Sequence, residues 1–363
     1  MTPPIEAAGP PDLLARTAEL VDVPSESFSE GRLVELLEAE LRGHEHLDVT
    51  RVGDNLVART SRGCAQRVVL AGHTDTVPAN GNATARIEGD TLFGVGAADM
   101  KSGLAVMLES ARRHAQGRLD VTYVFYAREE VASEHSGLGE LRAARPDLLD
   151  GDLALLGEPT DGAIEAGCQG SIRATVTLHG ERAHTARAWM GRNAVHRLGA
   201  LLVALDGYEP RQPEIQGCRF REALLAVGVE GGVSGNVVPD RAVLTVAHRF
   251  APDRSAAEAE DHLRAVLAPH LDAADEVEVL DVAPAAHPSL DQPLLAALVG
   301  RHGLDVRSKL GWTDVARFAA LGVPAANFGP GDPTIAHTAG EHVTRDSIER
   351  VWRVIDELVT AGL

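Results

Sequence analysis

Cysteine is scarce in this chain of 363 residues: Cys64, Cys168 and Cys218 are far apart and form no C-x-x-C pair. An odd, sparse count fits a reducing compartment, the cytoplasm, and argues against a thiolate zinc site. Each cysteine reads as a small buried apolar residue. There is no stretch of about 18 uninterrupted apolar residues, so no membrane span is expected. The opening MTPPIEAAGPPD has no basic start followed by an apolar core, so it does not read as a secretory signal. Basic charge is also short, with 34 Lys and Arg against 53 Asp and Glu and a formal net charge of −19. A nucleic-acid partner needs basic patches and is not expected. The acidity fits a soluble surface.

The length suggests two domains, and a hydrophobic fraction of 44% is ordinary for a globular protein. Apolar spacing predicts helices over 12–21, 31–42 and 101–115, the last with Leu104, Met107, Leu108 and Ala111 on one face. VVLAG (68–72), VTYVFYA (121–127) and DLALLG (152–157) read as buried strands between them. That alternation predicts an α/β domain with a mostly parallel mixed sheet flanked by helices. From Gly167 the texture changes. Strand 171–179, helix 192–206, strands 224–230 and 240–249, helix 255–268 and strand 275–281 form the ferredoxin-like order. After Pro284 the α/β texture returns and ends in a helix at 346–361. The expected organisation is an α/β domain, 1–168 and 285–363, interrupted by an α+β insertion, 169–284.

Acidic residues and histidines fall on this frame in a pattern. His73 and Asp75 close the first buried strand, and Asp99 lies in the Gly-rich GVGAADMKSG before a helix. Glu129 and Glu130 leave VTYVFYA, Glu158 leaves DLALLG, and His337 sits in a loop after PAANF. Each marker stands at or beyond a strand end, or in the loop entering the next helix, where open α/β sheets bind ligands. Taken singly, each is an ordinary loop residue. Their joint placement is the signal.

Imidazoles and carboxylates without thiolate suit zinc and also admit cobalt or manganese. Two histidines and three carboxylates exceed the three protein ligands of one catalytic zinc, so they fit two metals sharing a bridging carboxylate. Asp99 is the natural bridge. One metal then takes His73, Asp99 and Glu158, and the other Asp99, Glu130 and His337. Adjacent strand residues point in different directions. Glu130 is therefore read as a ligand and Glu129 as the base that moves a proton from water to the leaving nitrogen. Asp75 is placed to accept the second ring N–H of His73.

GHTDTVP, GAADMKSG, AREEV, GEPT and the late Ala336-His337 resemble the dizinc aminoacylase/carboxypeptidase-like metallopeptidases. The resemblance runs from about residue 12 to the last helix. Within the family, EEVASEHSGLGEL, LALLGEPTDGAIEAGCQGSIR, RAHTARAWMGRNAVH and GWTDVARF are similar to members that remove a succinyl group from an amino-acid amine.

The resemblance implies two Zn²⁺, with Co²⁺ possible, a small acyl amino-acid substrate, and a homodimer through the inserted dimerisation or lid domain. In that family the residue matching His184 reaches the partner subunit's active site, where it would donate to a developing oxyanion. Asn236 and Arg249 match positions that bind the substrate's oxyanion and carboxylate, and Thr313 a substrate contact. Arg187 and Trp189 are weaker candidates, because charged and aromatic lid residues often serve a dimer surface. Thr185 stands where serine is common, and a proline often found a few positions on is missing, which leaves this loop's substrate contacts open. Alternatives are a related deacylase of N-acetyl amino acids and a metal-free binding homologue.

Overall fold

The computed structural model describes residues 11–362, so most of the Pro-rich opening lies outside the described residues. The chain divides into two compact units. One holds residues up to 166, 289–307 and 317–363, and the other 167–288 and 308–316.

Along the first unit run α1 (Leu13–Val21), α2 (Gly31–Arg42), β1 (Asp48–Val52), β2 (Asn55–Arg59), β3 (Arg67–His73), β4 (Arg86–Glu88) and β5 (Thr91–Phe93). Then come α3 (Ser102–Arg113), β6 (Asp120–Tyr126), α4 (Gly137–Ala144), β7 (Leu153–Leu156) and β8 (Ile164–Ala166). The second unit carries β9 (Gly170–His179), α5 (Ala194–Asp206), β10 (Glu214–Ile215), β11 (Cys218–Arg219), β12 (Ala223–Gly231), β13 (Arg241–Phe250), α6 (Ala256–Leu267) and β14 (Glu276–Ala283). The remainder is α7 (Pro293–His302), β15 (Val306–Ser308), α8 (Val315–Ala319), β16 (Ala325–Asn327), β17 (His342–Thr344) and α9 (Arg345–Ala361).

The large sheet has eight strands in the order β1-β2-β6-β3-β7-β16-β8-β15. Its centre, β6-β3-β7-β16, is parallel, and β1, β2 and β8 pair antiparallel. The central strands read as unbroken apolar runs because both faces are covered: every residue of β6 and β7 is buried. Helix α9 shows the complementary logic. Ile348, Val351, Trp352, Ile355, Leu358 and Val359 recur at helical spacing and are buried. The Thr344 hydroxyl caps its start by accepting the Ser347 N–H at 3.3 Å.

In the second unit the sheet order is β12-β13-β9-β14, antiparallel throughout, which with α5 and α6 is the ferredoxin-like arrangement. Alternate residues of β9, Ile172, Ala174, Val176 and Leu178, pack into one core with Leu198, Leu201 and Leu205 of α5 and Leu263 and Leu267 of α6. A reciprocal Ser255–Glu258 capping box starts α6. Strand β12 is an edge, and Leu225, Val227 and Val229 on it are each more than half exposed.

All three cysteines are free. Cys168 and Cys218 are buried as expected, but Cys64 is only half-buried, with Sγ 3.8 Å from the Gly117 carbonyl. Among the described residues no helix is long and apolar enough to cross a membrane.

Candidate metal centre

Parallel register carries three strand ends to one edge. His73, the last residue of β3, lies level with Tyr126 of β6, and Ala71 of β3 with Leu156 of β7. The chain then leaves β6 towards Glu129 and Glu130, and β7 towards Glu158. Asn327 of β16 pairs with Leu156, and the loop beyond it carries His337.

His73 is buried (1%), with Nε2 3.1 Å from Oδ1 of Asp99. The other oxygen of Asp99, Oδ2, lies 3.3 Å from Nε2 of His337. One carboxylate thus faces both imidazoles, the geometry a bridging ligand needs. His337 adopts φ +63°, an unusual conformation for a non-glycine residue, and its Nε2 is 2.8 Å from Oε1 of Glu130. Ligand atoms of His73, Asp99 and Glu158 lie within 4.8 Å of one another, and so do those of Asp99, Glu130 and His337. A third such trio is His73, Glu129 and Glu130, so closeness alone does not separate Glu129 from the ligands.

Asp75 does more than the sequence suggests. The Nδ1 of His73 is nearer the Asp75 backbone carbonyl, at 3.0 Å, than its carboxylate, at 3.5 Å. The carboxylate instead accepts the backbone N–H groups of Glu129 at 3.0 Å and Glu130 at 3.1 Å, and the Ser27 hydroxyl at 2.8 Å. It therefore pins the turn that presents the paired glutamates. Neither Ser27 nor Glu341, whose carboxylate accepts the N–H groups of Ala98 and Asp99, stands out in the sequence. Neither occupies a strand end after an apolar run, the signal that picked out His73, Glu129, Glu130 and Glu158.

Electrostatics show what the cluster wants. Burial opposes a charge on His73, yet the Asp75 and Asp99 carboxylates outweigh it and hold its pKa well above the ordinary imidazole value. Hydrogen bonds to Asp99 and Glu130 bring His337 to about 10. Burial would raise Asp75, but its hydrogen bonds and the charge of His73 bring it down to about 2. Asp99 is likewise lowered against its burial, by His337 and His73. Carboxylates outnumber imidazoles here, and protons on the imidazoles supply part of the missing positive charge. A divalent cation would displace those protons. The donor set, imidazole and carboxylate with no thiolate, fits zinc-type metals.

The remaining predicted site residues belong to the second unit. The His184 Nδ1 accepts the Ala186 N–H at 3.0 Å, which leaves a neutral ring with its proton on Nε2, the donor an oxyanion would need. His184 bridges Val237, and Thr185 N–H donates to the Asn236 carbonyl at 3.0 Å, so His184 and Asn236 adjoin. The Asn236 side-chain oxygen accepts the Ser234 hydroxyl at 2.8 Å.

Arg249 is not with them. It is exposed near the far end of β13, in register with Ser171 and Ala223, and has no carboxylate partner among the described residues. From Arg241 to Arg249 the strand runs eight residues, roughly 26 Å at about 3.3 Å each. Thr313 is buried (5%), and its carbonyl accepts the Ala316 N–H at 3.1 Å. Arg187 and Trp189 lie in an exposed 3₁₀ segment, Thr185–Met190, with Trp189 80% exposed.

The model of peptidase family M20/M25/M40 matches residues 69–361. A Mycobacterium tuberculosis protein provisionally named succinyl-diaminopimelate desuccinylase DapE is 50% identical over 334 residues, 92% of this chain and 93% of its own. The Corynebacterium glutamicum succinyl-diaminopimelate desuccinylase is 42% identical over 99% of both chains. A Staphylococcus aureus tripeptidase superposes with a TM-score of 0.75 at 19% identity, covering 97% of this chain and 98% of that one. A Bacillus subtilis dinuclear metal-binding peptidase does so at 0.70 and 16%, covering 95% and 96%.

Proposed function

The chain belongs to peptidase family M20/M25/M40, and on that premise we propose that it hydrolyses N-succinyl-LL-2,6-diaminopimelate to succinate and LL-2,6-diaminopimelate. It is a metal-dependent amide hydrolase. The observation that carries the reading is the convergence of two histidines and four carboxylates on one sheet edge, in a chain similar over nearly its whole length to desuccinylases.

His73, Asp99 and Glu158 would hold one metal and Asp99, Glu130 and His337 the other, both as zinc, with cobalt able to substitute. Bound there, the metals supply a Lewis acid for the amide carbonyl and bring the pKa of a water molecule to about 7. Glu129 takes the proton of the attacking water and gives it to the leaving nitrogen. Asp75 keeps Glu129 and Glu130 aimed by holding their backbone N–H groups. The Nε2–H of His184 donates to the tetrahedral oxyanion, with Asn236 beside it. Arg249 pairs with a substrate carboxylate, for which its planar fork is suited and for which the lack of a carboxylate partner among the described residues leaves it available. Thr313 contacts substrate from the buried segment that holds it.

The homodimer has two supports. His184 and Asn236 stand at one end of β13 and Arg249 at the other, too far apart for one chain to bring all three to one small substrate. Two chains acting on each other's substrate remove that difficulty. Strand β12 also offers an unpaired, apolar outer edge, a template for a second strand. We assign hydrolysis to 1–168 and 285–363, dimerisation and substrate covering to 169–284, and place the protein in the cytoplasm, which its three free cysteines suit.

The test is a hydrolysis assay on N-succinyl-LL-2,6-diaminopimelate, with and without a chelator, beside N-acetylated amino acids. Chelator-sensitive release of succinate with slower acetyl release is expected. Preference for an acetyl substrate, or activity that survives metal removal, would overturn the reading.

A further inference from the structure

Four of the six side chains at the metal centre take their places from the large sheet: His73 ends one strand, Glu158 follows another, and Glu129 and Glu130 leave a third on the turn that Asp75 pins. Asp99 and His337 do not. Each sits on a turn, 238 residues from the other, and each must be held to well under an ångström for a metal to find both. Glu341 touches both turns. It lies four residues after His337, just before β17, and is 1% exposed. Its Oε1 accepts two consecutive backbone N–H groups, from Ala98 at 3.0 Å and Asp99 at 3.1 Å. Its carbonyl accepts the Gly94 N–H and its own N–H donates to the Thr338 carbonyl, both at 3.1 Å. Strand β17 then pairs with β5, which leads into the Asp99 turn.

A neutral side chain could tie down a surface turn. Burying a carboxylate is costly unless it makes strong bonds in return. Here it makes two charge-assisted bonds to consecutive amides, the pattern by which a turn grips an anion.

We propose that Glu341 is a positioning residue that locks the Asp99 turn to the His337 turn, so that Asp99, Glu130 and His337 close on one metal. The proposal rests on the two-metal reading above. The second metal has the larger stake, because two of its three ligands, Asp99 and His337, sit on the turns Glu341 ties, whereas the first shares only Asp99 and keeps His73 and Glu158 in their places at the sheet.

The experiment reloads metal-free, full-length wild-type, E341A, E341D and E341Q proteins with zinc, and reads zinc per chain after dialysis and the two affinities by competition with a chromophoric chelator. Circular dichroism reports folding. Wild type should hold two zinc ions. E341A should lose at least tenfold in affinity for the weaker site and clearly less for the tighter one, which shares only Asp99 with it. E341D keeps the charge on a shorter arm and should behave like E341A, which covers the case of E341A not folding. E341Q keeps one oxygen able to accept both N–H groups but loses the charge assistance, so it should weaken the second site by less than E341A does. The proposal is overturned if E341A or E341D binds both metals as wild type does, if both sites weaken equally, or if E341Q weakens the second site more than E341A does. A wild-type chain that binds fewer than two ions would instead remove the two-metal reading itself.

Discussion

Replacing Asp75 by asparagine tests the site's framework in a way that can be worked out atom by atom. Oδ1 of Asp75 takes the Glu129 N–H, and Oδ2 takes the Glu130 N–H and the Ser27 hydroxyl. Asparagine has one oxygen, so in either orientation its NH₂ faces a buried backbone N–H. A stranded donor costs about 1–3 kcal/mol, and each bond that survives loses about 1 kcal/mol of charge assistance. Seen through its pKa, lowered from 3.8 to about 2, the carboxylate's surroundings are worth roughly 2.5 kcal/mol. That figure overlaps the first, because the same bonds produce it, and the raised pKa of His73 is the same ion pair viewed from the other side. The expected loss is about 3–5 kcal/mol in the metal-free protein, large against a typical stability of about 5–15 kcal/mol. Urea denaturation at pH 7 measures it. The carboxylate contributes fully above pH 3.8 and less as pH falls towards 2, so the gap between variant and wild type should narrow below pH 4. A loss under 1 kcal/mol at pH 7, or a gap that widens in acid, would refute the assignment of Asp75 as the clamp on the glutamate pair.

Glu129→Gln should lower kcat by about 10²–10⁴-fold with zinc content unchanged. Loss of zinc along with turnover would make Glu129 a ligand instead, as its closeness to His73 and Glu130 allows. Because His73 and His337 hold protons in the metal-free state, zinc uptake near pH 7.5 should release about two protons per chain and weaken as pH falls. Calorimetry in buffers of different ionisation enthalpy reads this, and a buffer-independent enthalpy would refute it. For His337 the sign in the metal-free protein is the reverse of that for Asp75. Its ion pairing is complete below pH 6.5 and fades as pH rises towards 10, a small effect because the ring is half exposed. Val229→Lys on the β12 edge should shift sedimentation from dimer towards monomer, and an unchanged dimer would place the interface elsewhere.

The central strands and the candidate ligands at their ends were legible because one physical cause marks both. A strand buried on both faces is written as an apolar run, and the first polar residue beyond it declares the edge. VVLAG leading to His73 and DLALLG leading to Glu158 show this directly. The second unit was legible through period. The alternation in SIRATVTLH and the spacing of Leu198, Leu201 and Leu205 translate into β9 and α5.

What stayed hidden lacks such a signature. Strands β4, β5 and β17 are three residues each, too short to show alternation. The β1–β2 hairpin carries charges along DVTRV and NLVAR, and only the turn at Gly53, with φ +59°, could have announced it. Ser27, and the use of the Asp75 carboxylate as an acceptor for two amides, depend on contacts between distant segments that no local pattern encodes. That residues 308–316 group with the second unit is of the same kind.

The two histidines of the centre live in unlike surroundings: the ring of His73 is sealed in, at 1% exposure, and that of His337 stands at the rim, at 47%. Ions held by them should therefore differ in lability. The rim position would exchange with the medium first, and a singly loaded chain would accumulate whenever zinc runs short. Supply of metal, and not only supply of substrate, would then set the working fraction of the enzyme.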